Sequence, residues 1–260
     1  MINKNNSFIP PDWKPIVPPG SDLLVIGASG GIGSATINML SESESCVIGA
    51  QYQNDKNLLQ KDNIFPIKKT LKTQTDCEEL VNSFINKTKK INGLVILIGG
   101  ISSNIHWSKL SDENWVSDIN LNLNIPFYLA QTVYNQMLKQ GSGGKIIFTG
   151  TESALHGGGL NSLAYGVSKR ATECIVQAMA RDGASNNIIV NGIRMGFIDS
   201  GFHGRWQKKG AKELKQRAKL VPLKRSGTAH EVASLIAYLL SDWGNFITGQ
   251  MLPITGGDWL

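Results

Sequence analysis

The sequence predicts an α/β fold in which a doubly wound parallel sheet of about seven strands carries helices on both faces. Three observations lead to this prediction. Short apolar runs rich in β-branched residues alternate with longer segments of helical period. A glycine-rich turn joins the first apolar run to the first helical segment. The chain has 260 residues, of which 41% are hydrophobic, and this suits one large domain. We therefore expect an extended arm over 1–20 and a single domain over 21–260.

The elements follow from these patterns in chain order. Strands are predicted at the apolar runs 23–26, 46–50, 64–67, 94–98, 145–149, 188–193 and 251–254. Helical segments separate them at 31–42, 76–90, 112–139, 162–185 and 229–241. Each strand–helix–strand unit closes as a right-handed crossover, so the strands run parallel. The segment 196–228 interrupts the alternation, and a long excursion of this kind predicts a lid over a ligand cleft.

Composition argues against several classes of protein. The net charge is +6, but the 26 lysines and arginines are scattered, which disfavours a nucleic-acid partner. Cys46, Cys77 and Cys174 are widely spaced and predict neither disulfides nor a metal site, which favours a reducing compartment. The N-terminal segment 1–20 has no apolar run of signal-peptide length, and no run in the chain approaches the ~20 apolar residues that cross a bilayer. We expect a cytoplasmic protein with no membrane partner.

The glycine-rich turn lies in the stretch LLVIGASGGIG, residues 23–33. Gly27 permits a tight turn after the strand, Gly31 lets backbone approach a pyrophosphate, and Gly33 lets the helix pack closely on the strand. Ser29 adds a hydroxyl for a phosphate. A glycine turn often serves only a sharp bend, but the order of strand, glycines and helix predicts a Rossmann-like dinucleotide site.

The end of the second strand indicates which nicotinamide cofactor is preferred. A carboxylate at this place binds the ribose diol and repels a 2′-phosphate. Gln51 and Tyr52 stand there instead of an acid. This favours NADP(H), with NAD(H) as the alternative, although no arginine occupies the usual phosphate-binding places. Tyr52 is otherwise explained as a partly buried aromatic at the strand end.

Two tyrosines are followed four residues later by a lysine, as Tyr52–Lys56 and Tyr165–Lys169. A tyrosine has a pKa of ~10, and lowering it by ~3 units for proton transfer at neutral pH needs about 4 kcal/mol from a neighbouring cation. Tyr52 leads into a turn-like segment, where the pair has no reason to share a face. Tyr165 begins a helix at the carboxyl edge of the sheet, so Tyr165–Lys169 is the predicted acid/base pair.

Several motifs together resemble one family. GASGGIG resembles the cofactor turn, YGVSK the Tyr-x-x-x-Lys pair, and DINLNLNIPFYLAQ the asparagine-bearing helix of the short-chain dehydrogenase/reductase family, and the likeness runs over 23–258. The resemblance implies hydride transfer between NADP(H) or NAD(H) and a small carbonyl or alcohol substrate. It makes Tyr165 the general acid/base, Lys169 the group that lowers its pKa, and Asn120 the holder of a relay water. The wider Tyr–Lys spacing of the enoyl-reductase branch disfavours that branch.

The family's fourth catalytic member is a serine, and here the sequence departs from the pattern. Counting from the strand KIIFTGT places Thr151 there, whereas counting back thirteen residues from Tyr165 reaches Glu152. We choose Thr151 because strand register shifts less readily than a glycine-rich loop. Ser153 is the second choice, and local turn capping is the alternative role for both hydroxyls.

The resemblance also implies the cofactor contacts, and other departures affect them. The implied contacts are Gly27, Ser29, Gly31, Ile32, Gly33, Tyr52, Gly99, Tyr165, Lys169 and Ile198. The family's Asn-Asn-Ala-Gly segment is replaced by ILIG, residues 96–99, its adenine-contacting aspartate by Thr70, and its proline after the sixth strand by Met195. These departures support an alternative hypothesis, a catalytically weak nucleotide-binding regulator. An extended sugar-nucleotide epimerase needs a larger C-terminal domain than this chain offers.

The lid and the assembly complete the expectations. Between Phe197 and Lys219 the lid carries seven lysines and arginines, which attract a phosphorylated, CoA-linked or carrier-linked substrate. A solvated helix face is the alternative explanation of that charge. His203 and Trp206 either line the cleft or pack the lid shut. The resemblance implies a homo-oligomer, a dimer or a tetramer, formed through the helices bearing Asn120 and Tyr165 and the C-terminal strand.

Overall fold

The computed structural model describes residues 14–54 and 60–258, and every structural statement below concerns these residues. Seven parallel strands form one sheet in the order β3-β2-β1-β4-β5-β6-β9, and β7 pairs with β8 separately. This confirms the predicted fold class. The strands are β1 Asp22–Ile26, β2 Val47–Tyr52, β3 Ile64–Lys68, β4 Gly93–Ile96, β5 Gly144–Thr151, β6 Ile188–Met195, β7 Ile198–Asp199, β8 Gly227–Thr228 and β9 Met251–Ile254.

Helices cover both faces of the sheet. They are α1 Gly31–Leu40, α2 Gln74–Thr88, α3 Asp112–Ile119, α4 Ile125–Gln140, α5 Leu163–Gly183, α6 Phe202–Trp206, α7 Ala211–Leu220 and α8 Ala229–Leu240. The continuous helix predicted over 112–139 is interrupted, because a π-helical turn at Asn120–Asn124 separates α3 from α4. The predicted lid over 196–228 contains β7, α6, α7 and β8.

The strands are buried on both faces, which explains why they read as unbroken apolar runs. Leu24 and Ile26 of β1 pack into one core cluster with side chains of α2, α4 and α5. Leu23 and Val25, which alternate with them, pack into a second cluster with side chains of α1 and α8. Successive strand residues point to opposite faces, so one apolar strand supports two helical layers. The sheet is therefore held rigidly at its centre, where β1 and β4 lie.

The described residues were searched for membrane-spanning helices, metal sites and disulfides. None of its helices has both the length and the apolar character needed to cross a membrane. Within 14–54 and 60–258, no cluster of three or more histidine, cysteine or acidic side chains is placed to hold a metal ion. Cys46, Cys77 and Cys174 are all free thiols. Most of the predicted N-terminal arm, residues 1–13, and Lys56 lie outside the described residues.

Candidate active site

A cavity of about 310 Å³ opens at the carboxyl ends of the central strands. Its floor is formed where β1, β4, β5 and β6 end, the edge at which open α/β sheets place their ligands. The lid segment from Met195 to Gln207 forms the opposite wall. Among the residues predicted from sequence, those on the wall are Gly27, Gly31, Ile32, Gly33, Gly99, Thr151, Tyr165, Lys169 and Ile198. Ser29, Tyr52 and Asn120 lie outside it.

The glycine-rich turn gives the cavity one polar end. Gly27 has a φ of +81°, a left-handed conformation that glycine adopts without strain. A Cβ on Gly33 would lie 2.2 Å from the Gly27 carbonyl oxygen, so α1 approaches β1 more closely than any side chain allows. Helix α1 starts at Gly31 with no acidic residue in its first turn and no side-chain cap. Its unpaired N–H groups face the cavity and fit a pyrophosphate.

The Gln51 side chain stabilises this turn, a role that the sequence analysis above did not assign to it. Its Oε1 accepts a hydrogen bond from the Gly27 N–H at 2.9 Å, and its Nε2 donates to the Lys69 carbonyl at 2.6 Å. The side chain is only 3% exposed. Both ends of the amide are therefore used inside the protein. The signal for this role was present, because an amide near the end of an otherwise apolar strand needs buried partners.

The tyrosine and lysine predicted as an acid/base pair lie together on α5. The Lys169 Nζ is 5.9 Å from the centroid of the Tyr165 ring and donates to the Ile98 carbonyl at 3.3 Å. Lys169 is 3% exposed and forms no ion pair with a described carboxylate. Burial lowers its pKa to about 8. The Lys169 ammonium thus lies in the cavity wall, where it can contact a phenolate or the hydroxyls of a ligand.

Thr151 completes the group around the tyrosine. Burial raises the pKa of Tyr165, and a hydrogen bond with Thr151 acts in the opposite direction. The Thr151 Oγ1 lies 3.1 Å from the Ser153 Oγ, and both residues line the cavity. Glu152, between them in sequence, turns away and pairs with Arg194 at 3.1 Å. Both candidate hydroxyls therefore lie on the cavity wall, whereas Glu152 does not.

The π-helical turn places a different asparagine from the predicted one beside this group. Asn120 donates to the Lys72 carbonyl at 2.9 Å, away from the cavity. Asn122 is fully buried, and its amide binds both the N–H and the carbonyl of Gly100, at 3.0 and 2.8 Å. A Cβ on Gly99 would lie 3.1 Å from the Asn122 Oδ1 and 3.5 Å from the Lys169 Nζ. Asn122 therefore neighbours the lysine, whereas Asn120 does not.

The lid brings aromatic rings onto the tyrosine. Phe202 lies 5.7 Å from the Tyr165 ring, and His203 lies between Phe202 and Phe197 at 5.7 and 4.8 Å. The Trp206 side chain packs beside Gly100, where a Cβ would lie 2.9 Å from its Cζ2. His203 and Trp206 thus line the cavity and also hold the lid against it. The substrate end of the cavity is predominantly apolar.

Ser200 lines the cavity and lies against the glycine-rich turn. A Cβ on Gly31 would lie 2.6 Å from the Ser200 carbonyl oxygen. The segment between β6 and α6 therefore contacts the start of α1 directly. This contact explains why Gly31 has no room for a side chain.

Comparisons with known proteins agree with this geometry. The family model described as enoyl-(acyl carrier protein) reductase matches residues 27–258. The dehydrogenase/reductase SDR family member 4 of Caenorhabditis elegans is 31% identical over 92% of this chain and 95% of its own length. The 3-oxoacyl-(acyl-carrier-protein) reductase of Thermotoga maritima is 28% identical over 92% and 97%. The acetoacetyl-CoA reductase of an Acinetobacter species is 28% identical over 90% and 96%.

Solved structures share the fold. Levodione reductase superposes with a TM-score of 0.83 at 20% identity, covering 92% of this chain and 97% of that one. A short-chain dehydrogenase/reductase from Serratia marcescens superposes with a TM-score of 0.79 at 23% identity, covering 92% and 98%. The chain belongs to the short-chain dehydrogenase/reductase family. It is an oxidoreductase that uses a nicotinamide cofactor, and none of these relatives favours the regulatory alternative.

Proposed function

We propose that this protein interconverts a carbonyl compound and an alcohol, with Tyr165 as general acid/base. The observation that carries the proposal is the buried Lys169 cation beside the Tyr165 ring, on the wall of a cavity that also holds the start of α1. When bound, a nicotinamide dinucleotide supplies or accepts the hydride at the carbonyl carbon. The residues of the chain hold the pyrophosphate, orient the carbonyl and move the proton.

The proton path follows from the contacts around the phenol. In reduction, the Tyr165 hydroxyl gives its proton to the carbonyl oxygen, and the Lys169 ammonium stabilises the phenolate that remains. Thr151 supplies a second hydroxyl that orients the substrate oxygen, and Ser153 is its hydrogen-bonded neighbour. Lys169 also has donors for the ribose hydroxyls. In oxidation, the same groups act in reverse.

The geometry favours Asn122 over Asn120 as the asparagine of the proton relay. Asn122 fixes Gly100 through two hydrogen bonds, and this segment follows directly on Ile98, whose carbonyl binds Lys169. The position of the lysine therefore depends on the asparagine amide. Asn120 is bound to Lys72 on another surface.

The preferred cofactor is NADP(H). Among the described residues no carboxylate stands at the end of β2, and the Gln51 amide is already bound to Gly27 and Lys69, which favours a 2′-phosphate there. Tyr52 and Ser29 then contact the adenosine half from outside the cavity. We expect kcat/KM for NADPH to exceed that for NADH by about tenfold. Initial rates with the two cofactors at one substrate concentration range test this, and a preference for NADH contradicts it.

The substrate class and the assembly complete the proposal. The names of the bacterial relatives refer to 3-oxoacyl and acetoacetyl groups, which supports a small carbonyl substrate here. The four-residue step from Tyr165 to Lys169 supports carbonyl rather than enoyl reduction. We further infer a cytoplasmic homo-oligomer in which 21–260 forms one domain with a lid over 196–228.

Substituting the phenol tests the proposed chemistry. We expect Tyr165→Phe to lower kcat by a factor on the order of 10²–10⁴, because it removes the transferred proton but keeps the ring. Binding of NADPH, measured by fluorescence titration, is expected to stay within about threefold. Tyr238→Phe, on α8 and outside the cavity wall, is the control and should retain full activity. Unchanged turnover in Tyr165→Phe would contradict the mechanism. A wild-type protein that binds NADPH but reduces no carbonyl compound would favour the alternative of a catalytically weak regulator.

A further inference from the structure

An ion-pair cluster adjoins Thr151, and the chemistry proposed above does not use it. The Arg194 Nε lies 3.1 Å from the Glu152 Oε2, and the Arg194 Nη1 lies 3.8 Å from the Glu173 Oε1. Glu173 in turn accepts a hydrogen bond from the Arg170 Nη1 at 2.8 Å. The cluster therefore joins the residue after β5, the end of β6 and helix α5.

The three inner members of this cluster are largely buried. The side chains of Arg194, Glu152 and Glu173 are 20%, 11% and 13% exposed. The Glu173 Oε1 is buried and has no hydrogen-bond partner among the described residues, so its charge depends on the guanidinium nearby. Desolvation offsets most of the stability that a buried ion pair contributes. A gain in stability is therefore a weak explanation for these charges.

The Arg194–Glu152 ion pair lies where the pairing of β5 with β6 ends. The last residues in register are Thr151 and Met195, and the Thr151 Oγ1 donates to the Met195 carbonyl at 3.4 Å. Glu152 then starts a short 3₁₀ turn, which is followed by three glycines at 157–159. Glycines restrict the backbone less than other residues do. The direction in which the chain leaves β5 therefore depends strongly on the contact of Glu152 with Arg194.

Glu152 separates the two hydroxyl side chains of the site. Thr151 and Ser153 line the cavity, whereas Glu152 does not. Counting back thirteen residues from Tyr165 also ends at Glu152, so the chain carries a carboxylate where that spacing places the orienting serine. This carboxylate is bound to Arg194. Because the Glu152 side chain is held away from the cavity, its two neighbours in the chain keep their hydroxyls on the cavity side.

We propose that Arg194 and Glu152 are positioning residues, whose ion pair holds the Thr151 hydroxyl where the substrate oxygen requires it. The proposal rests on the function proposed above, in which Thr151 orients that oxygen, and it names the cause of the orientation. Neither Arg194 nor Glu152 lines the cavity, so neither contacts the substrate. Their effect on the rate therefore passes through Thr151, and this distinguishes them from residues that only stabilise the fold.

Glu152→Gln tests the proposal, because the amide keeps the shape of the side chain and loses its charge. With ethyl acetoacetate as the carbonyl substrate we expect kcat to fall about tenfold, since a small displacement of an orienting group is costly. Binding of NADPH, measured by fluorescence titration, should stay within about twofold of the wild type. Thr151→Ala lowers kcat on its own, and in that background Glu152→Gln should lower kcat by less than about twofold more.

Glu231→Gln is the matched control. Arg225 and Glu231 form an ion pair of similar burial, and neither residue lines the cavity. The same substitution thus removes a comparable charge at a place remote from Thr151, and kcat should stay within about twofold of the wild type.

Arg194→Lys is the second probe, and it replaces Glu152→Gln if that variant does not fold. A lysine keeps the positive charge, but its ammonium lacks the planar fork with which a guanidinium contacts Glu152 and Glu173 together. We expect kcat to fall at least about threefold, and again only while Thr151 is present.

The outcomes separate this proposal from the proposed function. An equal fall in kcat with and without Thr151 would show that the ion pair supports the fold in general, and it would overturn the positioning role. An equal fall in Glu231→Gln would do the same. An unchanged kcat in Glu152→Gln, with turnover abolished in Tyr165→Phe, overturns this proposal and leaves the reductase chemistry standing. Full activity of Thr151→Ala removes Thr151 from the proposed mechanism and overturns this proposal with it. No reduction of ethyl acetoacetate by the wild type counts against both.

Discussion

Lys169 is the residue on which the chemistry of the site depends most. Its ammonium is buried next to a phenol and bonded to one backbone carbonyl, without a described carboxylate to compensate its charge. Such a buried cation is costly for folding, and burial accordingly lowers its pKa from 10.5 to about 8. The same uncompensated charge is what stabilises a phenolate. The protein therefore accepts a less stable fold at this position in return for a cation beside Tyr165, whose own pKa is raised by burial.

The cost makes stability depend on pH in a definite direction. Between pH 8 and 10.5 the folded protein binds fewer protons at Lys169 than the unfolded chain, so the free energy of unfolding rises with pH in this window. Below the window the destabilisation is fully present. Lys169→Met removes it, and we expect its stability advantage over the wild type to shrink by about 2 kcal/mol between about pH 7.5 and 9.5. Urea unfolding of both proteins at each pH measures this difference.

A second lysine also contributes to the pH dependence of stability, because Lys145 is half-buried and burial likewise lowers its pKa to about 8. Lys145 is present in both proteins, so its effect cancels in the difference. A difference that stays constant with pH would show that Lys169 is solvated and keeps an ordinary pKa. The proposal that a buried Lys169 cation stabilises the Tyr165 phenolate would then be wrong.

Gln51 shows what the sequence reveals at the scale of one residue. The absence of an acid at this position was visible, and it predicted the cofactor preference. The direction of the side chain was not visible, because an amide at a strand end can face ligand or protein. Its partners, the Gly27 N–H and the Lys69 carbonyl, come from segments that only the folded sheet brings together.

At the scale of the element, the π-helical turn between α3 and α4 determines which asparagine lies near Lys169. A π turn adds one residue to the helical repeat, and such turns occur frequently at functional sites. Asn122 is held by Gly100 and by the Asp118 carbonyl at 2.8 Å, whereas Asn120 and Asn124 bond to each other at 3.3 Å. The π-helical turn thus directs the Asn122 amide towards Gly100 and leaves the amides of Asn120 and Asn124 away from it.

Alanine substitutions distinguish these asparagines. We expect Asn122→Ala to lower kcat about tenfold or more and to destabilise the fold by about 1–3 kcal/mol, because both polar backbone groups of Gly100 lose their partner. Asn120→Ala loses the exposed bond to Lys72 and the bond from Asn124, both away from the cavity, and should change kcat less than about twofold. Steady-state kinetics and urea unfolding of the two variants measure this. The reverse order of effects would restore Asn120 to the relay.

The seven strands of the main sheet and most of the helices that cover it could be predicted to within a few residues, whereas the short elements β7, α6, α7 and β8 within 196–228 were not predicted. A sheet buried on both faces produces unbroken apolar runs, and helices that cover it repeat every three to four residues. The π turn could not be predicted, since asparagines at 120, 122 and 124 alternate with leucines and offer three equivalent candidates. Thr151 could be located because β5 pairs in register with β6 along its whole length, ending with Thr151 opposite Met195. The position of a residue near the end of a strand is therefore easier to predict than its position around a helix that changes its repeat.

At the scale of the whole molecule, the sheet has an unprotected side. The four-residue strand β9 forms one edge, and an unpaired strand edge favours pairing with another chain. The segment leading into β9 carries Trp243, 74% exposed, and Phe246, fully exposed. Val116 and Leu138 are exposed on the helices α3 and α4. The assembly proposed above uses both the β9 edge and these helices, and two different two-fold contacts on one chain generate a tetramer.

The assembly can be tested at the β9 surface. We expect light scattering after size exclusion to give a tetramer for the wild type and a smaller species for Trp243→Ser/Phe246→Ser, because the two aromatic rings lose their buried area on the partner. Leu220→Ser is the matched control: Leu220 is 72% exposed, but it lies on the lid and not at the sheet edge. Its mass should equal that of the wild type. A monomeric wild type, or a double variant of unchanged mass, would show that these rings serve another purpose than assembly.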